Sequence, residues 1–210
     1  MAAAGGRTVY LWDIGGRVRT TPAAELSGPR QAVRAVAFAP GGRTLAAGSN
    51  DATVRLWRIS GSGRETAAGT LRGPNSQVFS IAISPDGRRL AAGTGAEHRV
   101  YLWNIADPEH PSPDGPALTG PASWVKTVAF RPDGTTLAAG SSDNLLWVYD
   151  LRTRRFERAA TPPEPGHGRL VPLGGFAGDA RRRRDHPRLE SARPDHHRGA
   201  GLGVRPGLRR

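Results

Sequence analysis

Three blocks of sequence recur in the same order along the chain, and this repetition constrains the fold more than any other feature. The first block is "GPRQAVRAVAF" at 28–38, with copies "GPNSQVFSIAI" at 73–83 and "GPASWVKTVAF" at 120–130. The copies begin 45 and 47 residues apart. A period of this length indicates that each copy forms one supersecondary unit, which buries its apolar surface by stacking on its neighbours.

The second and third blocks have the residue types of β-strands. The second block contains Leu-Ala-Ala-Gly and lies at 39–51, 84–98 and 131–143. The third block resembles "TVRLWRI" and lies at 8–14, 53–59, 99–105 and 145–151. A weaker strand pattern closes each copy, at 24–29, 67–74 and 115–121. With Pro-Asp-Gly hairpin turns between the first two strands, each period is predicted to hold four short antiparallel strands and very little helix.

The third strand of each copy is apolar on both faces. In 53–59, Val54 and Leu56 point to one side, whereas Trp57 and Ile59 point to the other. A strand with one face in water carries polar residues on that face. We therefore expect each sheet to be packed between two neighbouring sheets.

As a set, these motifs resemble the WD-repeat β-propeller family, in which each repeat of about 40–45 residues forms one four-stranded blade. The resemblance covers residues 7–160. It implies an all-β fold of three to four blades of four antiparallel strands in an incomplete ring, followed by an irregular basic tail. The excess of Arg, Ala, Gly and Pro is typical of a GC-rich, bacterial gene. The expected units are a partial repeat at 7–29, repeats at 30–74, 75–121 and 122–160, and a tail at 161–210.

The chain departs from the family pattern at two dipeptides. The Trp-Asp dipeptide that names the family occurs at Trp12-Asp13, and the family's Gly-His dipeptide is Gly-Pro in every copy. The hydrogen-bond chain that many family blades build through that histidine is therefore excluded, and we expect packing more than a polar network to hold the blades. The positions implied to be structural in the repeats are Trp12, Asp51, Trp57, Trp103, Asp143 and Tyr149.

The number of copies is smaller than the rings of the family commonly contain. Three explanations stay open: a fragment of a longer protein, a ring assembled from several chains, or a poorly folded chain. We favour the fragment. Open ends would expose apolar sheet faces and strand edges, so self-association through them is a further hypothesis.

Residues 161–210 lose the repeat and are rich in Pro, Gly and Arg, so we expect them to be disordered. A frameshift would also produce such a string, and this explanation stays open. The run Arg181–Arg184 could contact nucleic acid, but it lacks interleaved aromatic residues, and we favour a solvated basic run. The pair His196-His197 falls short of a metal site, because adjacent residues in a flexible chain rarely form a closed one.

No motif for catalysis or for a cofactor is found. The chain has no Gly-x-Ser-x-Gly, phosphate-loop or dinucleotide-binding motif, and "GAGLG" at 199–203 follows no predicted strand. It has no cysteine, its N-terminus lacks the pattern of a signal peptide, and no apolar run approaches the roughly 18 residues of a membrane-spanning helix. We therefore expect a cytoplasmic protein that is not an enzyme, with no cofactor, no metal and no membrane partner.

Positions that differ between the copies identify a candidate binding face. The apolar residues of the first block stay similar in every copy, whereas the residues just before and beside them differ. In the family, these positions lie on the loops and strand starts of one propeller face, the usual partner-binding face. Phe79 is expected to be exposed, and Trp124 either to pack on a neighbouring blade or to contact the partner. The implied face consists of Arg30, Gln31, Arg34, Asn75, Gln77, Phe79, His98, Trp124 and Lys126.

The function that the resemblance implies is a non-catalytic scaffold for protein–protein interaction, with a protein partner of unknown identity. One alternative is a sensor or regulatory segment of a larger signalling enzyme, such as a kinase or a nucleotide-switch protein. The other is nucleic-acid binding through the basic tail, which we do not expect.

Overall fold

The computed structural model describes residues 1–13, 22–60 and 65–159, and its regular structure there is antiparallel β-sheet. These residues contain no helix, so none that is long and apolar enough to cross a membrane. The predicted all-β class is confirmed. The predicted tail at 161–210, with its arginine run and paired histidines, lies outside the described residues.

Four sheets follow one another along the described part of the chain, and the strands of each sheet are hydrogen-bonded in sequence order. Sheet I contains β1 (Ala2–Gly5), β2 (Thr8–Leu11) and β3 (Ala24–Leu26). Sheet II contains β4 (Val33–Phe38), β5 (Thr44–Ser49), β6 (Val54–Arg58) and β7 (Thr66–Leu71). Sheet III contains β8 (Val78–Ile83), β9 (Arg89–Thr94), β10 (Val100–Asn104) and β11 (Ser112–Pro113). Sheet IV contains β12 (Val125–Phe130), β13 (Thr136–Ser141), β14 (Leu146–Asp150) and β15 (Phe156–Ala159).

Sheet I begins with a strand that the sequence pattern does not indicate. Strand β1 lies ahead of residue 7, and Ala3 pairs with Tyr10 of β2. In the same way Ala92 of β9 pairs with Tyr101 of β10 in sheet III. Sheet I therefore has counterparts of the second, third and fourth strands of the other sheets. A run of alanines shows no apolar–polar alternation, which is why the sequence pattern misses it.

The fourth strand of sheet III differs from the prediction for 115–121. Strand β11 lies earlier, at Ser112–Pro113, and within 115–121 the chain returns to β10 at an isolated bridge between Leu118 and Val100. Gly115 turns the chain between these points at a φ of 73°. Pro116, next in the chain, has no N–H to donate to a ladder. A proline-rich edge is therefore paired in two short pieces instead of one strand.

The sheets stack face to face, and this explains the strands that are apolar on both sides. In β6, Val54 and Leu56 join a buried cluster with Val78 and Ile81 of sheet III. Trp57, on the opposite face of β6, is buried in a cluster with residues of sheet I. The expectation that middle strands are packed between two sheets is thus confirmed for sheet II.

Small residues in the second strands let adjacent sheets approach closely. A Cβ atom on Gly48 of β5 would lie 2.7 Å from Val78 Cγ1 of sheet III. A Cβ atom on Gly93 of β9 would lie 2.6 Å from Val125 Cγ1 of sheet IV. Both distances are too short for real atoms, so only glycine fits where the valine of the next sheet packs.

The glycine of each Gly-Pro pair has a positive φ, and Gly120 is also required by its surroundings. Gly120 has a φ of 133°, which L-amino acids rarely adopt. A Cβ atom there would also lie 2.6 Å from Cε3 of Trp147. Gly134, in a hairpin turn, has a φ of 68° but open space around it, since the nearest atom to a Cβ is 3.9 Å away.

Alanine substitutions at Gly134 and Gly120 distinguish the energetic cost of backbone strain from that of steric overlap. Gly134→Ala should lower the free energy of unfolding by about 1–2 kcal/mol, the usual cost of a left-handed backbone with a side chain. Gly120→Ala should lower it by more, because the ring of Trp147 must also move. Urea unfolding of the two variants checks this, and equal losses would contradict the packing of Trp147 against Gly120.

Candidate functional site

A β-bulge recurs at the start of the first strand of sheets II, III and IV. In sheet II the ladder pairs Val33 and Ala35 with consecutive residues of β5 and skips Arg34. The same shift skips Phe79 in sheet III and Lys126 in sheet IV. A bulge leaves one residue unpaired and redirects its side chain. Three predicted binding positions are therefore bulge residues, whose side chains the ladder does not constrain.

A carboxylate holds the loop in front of each bulge. In sheets II, III and IV, the carboxylate in the turn between the second and third strands accepts a hydrogen bond from a main-chain N–H. The donor is always the residue after the Gly-Pro pair, so a main-chain group acts where the family histidine is missing. The pairs are Asp51 with Arg30 (2.6 Å), Glu97 with Asn75, and Asp143 with Ala122 (2.8 Å).

Other polar groups extend this network into the sheets. Ser141 Oγ donates to the carbonyl of Ser123 at 3.1 Å and accepts from the N–H of Asp143 at 3.2 Å. Trp147 Nε1 donates to Asp143 Oδ2 at 3.2 Å. The expectation that packing dominates therefore needs an addition: sheets II, III and IV also have a polar network, in which both main-chain N–H groups and side chains donate.

The tyrosine of sheet III extends the network there. Tyr101 donates its hydroxyl to Glu97 Oε2 at 2.6 Å. Burial, together with this carboxylate, raises the pKa of Tyr101 to about 12. The hydroxyl therefore stays protonated and remains a donor at neutral pH.

Two aromatic rings and one ammonium group meet between sheets III and IV. The rings of Phe79 and Trp124 are stacked, with centroids 5.4 Å apart and planes inclined by 17°. Lys126 Nζ lies 4.1 Å from the centre of the Phe79 ring and 4.3 Å from the Trp124 ring. Both distances are within the range of a cation–π interaction. We call Phe79, Trp124 and Lys126 the aromatic–lysine cluster.

One side of the cluster packs against the protein, and the other side is exposed. Trp124 is 46% exposed, whereas Phe79 is half-buried. Phe79 and Gln77 lie over Gly95, where a Cβ atom would be 2.8 Å from Phe79 Cε2. The prediction of an exposed Phe79 is therefore only partly right, because Trp124 covers it. Trp124 packs on the neighbouring sheet and keeps one side exposed, and its contact with a partner stays a prediction.

The remaining predicted residues lie at the same end of the sheets as the cluster. Arg34 donates through Nε to Asn50 Oδ1 at 2.9 Å. His98 is half-buried in the turn after β9 and has a φ of 56°. Three residues are exposed on the loops, namely Arg30, Gln31 and Asn75. Their contact with a partner stays a prediction.

The predicted structural positions lie in the sheets and in their turns. Of the aromatic residues, Trp57, Trp103 and Tyr149 are at most 3% exposed, and Trp12 is half-buried. Sequence reasoning missed Glu97 as the counterpart of Asp51 and Asp143. An acidic residue shortly before the third strand was the available signal.

This end of the sheets carries two exposed basic side chains, those of Lys126 and Arg34. None of the residues that the structure describes forms an ion pair with Lys126 or Arg34. Asp51 and Asp143 accept hydrogen bonds from main-chain groups instead. The positive side chains are therefore available to a partner.

The opposite end of sheets III and IV contains a groove of about 750 Å³. Its Asp114 forms ion pairs with Arg89 at 3.0 Å and Arg154 at 2.9 Å. Within the described ranges, no three His, Asp or Glu side chains are grouped so that they could hold a metal ion. The aromatic–lysine cluster is thus the better candidate site.

A comparison with protein families identifies three repeats, each of which runs from the last strand of one sheet through the first three strands of the next. The family model described as "WD domain, G-beta repeat" matches residues 20–58, 66–104 and 113–150, which together cover more than half of the chain. Each matched range ends at the last residue of a third strand, β6, β10 or β14. No curated protein matches the chain.

The turn carboxylates should make stability depend on acid pH. Burial alone would raise the pKa of Asp143, but hydrogen bonds from Ala122, Leu145, Ser141 and Trp147 together outweigh it, and the pKa lies below the usual 3.8. Asp51 has a lowered pKa for the same reason, with Thr53 among its donors. A lowered folded-state pKa means that this stabilisation is complete above about pH 4 and is lost as the pH falls through the folded-state value.

Asp143→Asn tests this expectation. The variant should lower the free energy of unfolding at pH 7 by about 1–3 kcal/mol and reduce the loss of stability between neutral and acid pH. Urea unfolding over that pH range measures both. Glu157→Gln, an exposed carboxylate on β15, is the matched control and should stay within about 0.5 kcal/mol of the parent. The same acid dependence in Asp143→Asn and the parent would contradict the assignment.

Proposed function

Because the chain belongs to the WD-repeat family, whose members generally mediate interactions between proteins, we propose that it is a non-catalytic scaffold that binds a protein partner. The proposed binding surface is the end of the sheets that carries the aromatic–lysine cluster. The observation that carries the proposal is the stacked and exposed Trp124 beside Lys126.

The cluster has the properties of an interface anchor. Tryptophan, tyrosine and arginine are enriched among residues that dominate binding energy, and large aromatic residues supply much contact area. Trp124 is already held in place by Phe79 and Lys126. Little side-chain entropy would be lost when a partner covers it, which favours affinity.

The charges support a partner with an acidic or mixed surface. Lys126 and Arg34 are exposed and have no ion-pair partner among the described residues. Complementary charge steers association and disfavours wrong partners. The polar rim of the proposed face is formed by Arg30, Gln31, Asn75, Gln77 and His98.

Two other functions have no observation in the described residues that favours them. One is a sensor or regulatory segment of a larger signalling enzyme, and the other is nucleic-acid binding through the basic tail. A cytoplasmic location is part of the proposal. Self-association through open sheet faces would use a different surface.

Alanine substitutions at the cluster test the proposed surface. Phe79→Ala and Trp124→Ala should each weaken partner binding by about 1–3 kcal/mol, because each removes buried aromatic contact at an anchor. The partner is first recovered by pull-down with the parent chain, and its affinity for each variant is then measured with purified proteins.

Phe38→Ala is the matched control. Phe38 is a 38% exposed aromatic residue at the far end of β4 from the bulge. It should leave the affinity unchanged. Thermal unfolding of all variants separates lost binding from lost folding, since Trp124 also packs on sheet III. Equal affinity of folded cluster variants and the parent would exclude this face as the binding site.

A further inference from the structure

The face of sheet IV that points away from sheet III has the composition of an internal packing surface. We call it the open face. Corresponding residues in sheet II are Ala35, Ala37, Ala46, Gly48, Val54 and Leu56, which face sheet III. The open face consists of Thr127, Ala129, Ala138, Gly140, Leu146 and Val148.

The residues of the open face are less buried than the corresponding residues of sheet II. Val54 and Leu56 of sheet II are 0% and 1% exposed. Leu146 and Val148, at the same positions of sheet IV, are only half-buried. The difference arises because sheet III covers the first pair, whereas no sheet among the described residues covers the second.

The surroundings of Gly140 also show that no described sheet covers the open face. Gly48 and Gly93 each lie against a valine of the next sheet. A Cβ atom on Gly140 would meet Thr127 of its own sheet and no residue of another described sheet.

Terminal units of repeat proteins usually carry a polar outer face, whereas the six residues of the open face are uncharged. Charged side chains share this side of sheet IV only at its margin, Asp150 at the end of β14 and Glu157 opposite Val148 on the outermost strand, β15. The central part of the open face therefore has the composition of a surface that receives another sheet.

Sheet I offers a surface of the required kind. Its face away from sheet II carries Ala3, Tyr10 and Trp12, and the two aromatic rings lie 6.0 Å apart. Ala3 is exposed, and both rings are half-buried.

The register identifies what these three residues correspond to. Ala3 pairs with Tyr10 as Ala92 pairs with Tyr101, so the counterpart of Trp12 is Trp103. The set Ala92, Tyr101 and Trp103 is the one by which sheet III packs on Ala46, Val54 and Leu56 of sheet II. The same three residue types thus stand on the uncovered side of sheet I.

We propose that the open face of one copy packs against sheet I of a second copy, and that the reciprocal contact closes a dimer. The new contact would repeat the interface between sheets II and III. Both surfaces are exposed in the same molecule, so they do not cover each other. Two copies, each with the four sheets of its described residues, would place eight sheets in one ring, within the range of about four to eight blades in known propellers. Contacts between different surfaces close into a ring when the rotation allows it.

The first test measures the mass of the 210-residue chain in solution by light scattering. We expect a dimer, and we expect Val148→Glu to convert it into a monomer, because a charge would be buried in the new contact. Thr135→Glu, in an exposed hairpin turn, should remain a dimer. A monomeric parent, assemblies larger than a dimer, or a folded Val148→Glu dimer would overturn the proposal.

Cross-linking tests the proposed contact without relying on Val148→Glu, which could fail to fold. The chain has no cysteine, so Tyr10→Cys and Val148→Cys each introduce a single reactive thiol. A short bismaleimide should cross-link the two variants when they are expressed together, and neither variant when it is expressed alone. If Val148→Cys cross-links with itself, two open faces pack against each other and the proposal is wrong. If the mixture gives no cross-link, sheet I is not the partner of the open face. Binding at the aromatic–lysine cluster is not involved in either outcome.

Discussion

Close stacking of one sheet on the next is the constraint on which the rest of the structure depends. The sheets approach so closely that a valine of one occupies the space beside a glycine of its neighbour, as Val78 does beside Gly48. The Ala-Ala-Gly sequence of the second strands is therefore a requirement of packing. Since every strand is short, the apolar area that holds the fold comes from these interfaces more than from any single sheet.

The stacking buries the faces of the sheets, and polar groups form hydrogen bonds at one end of them. There, turn carboxylates accept main-chain N–H groups and hold the loops after the Gly-Pro pairs. With the loops held, a bulge at each first strand presents one side chain whose identity the ladder does not dictate. The scaffold thus repeats while the residues it displays differ, which suits a surface for recognition. Phe79 and Lys126 are two such residues, and they meet because their sheets are neighbours.

Sequence reasoning succeeded where the pattern is strong and failed where it is weak. The β-branched and aromatic residues of "VRAVAF" and "TVRLWRI", together with their repetition, predict β4 and β6, and the structure has both strands. Strand β1 has no alternation, and β11 is displaced by prolines, so neither was predicted. Glu97 was missed as a network carboxylate because an insertion shifts its position in the turn. The nine proposed binding residues were chosen from their variation between copies, and three of them form the aromatic–lysine cluster.

The sequence by itself determined the strands, the turns, the repeat and the small residues of the second strands. The strands and turns follow from the residue preferences of short segments, and the repeat follows from the similarity of segments 45 and 47 residues apart. Only the tertiary structure decided that Trp124 stacks on Phe79, that Lys126 lies over both rings, and that Leu146 and Val148 remain uncovered. The physical reason is that these features depend on how sheets from distant parts of the chain lie against each other. That placement results from packing between whole faces and is not encoded in the neighbours of any one residue.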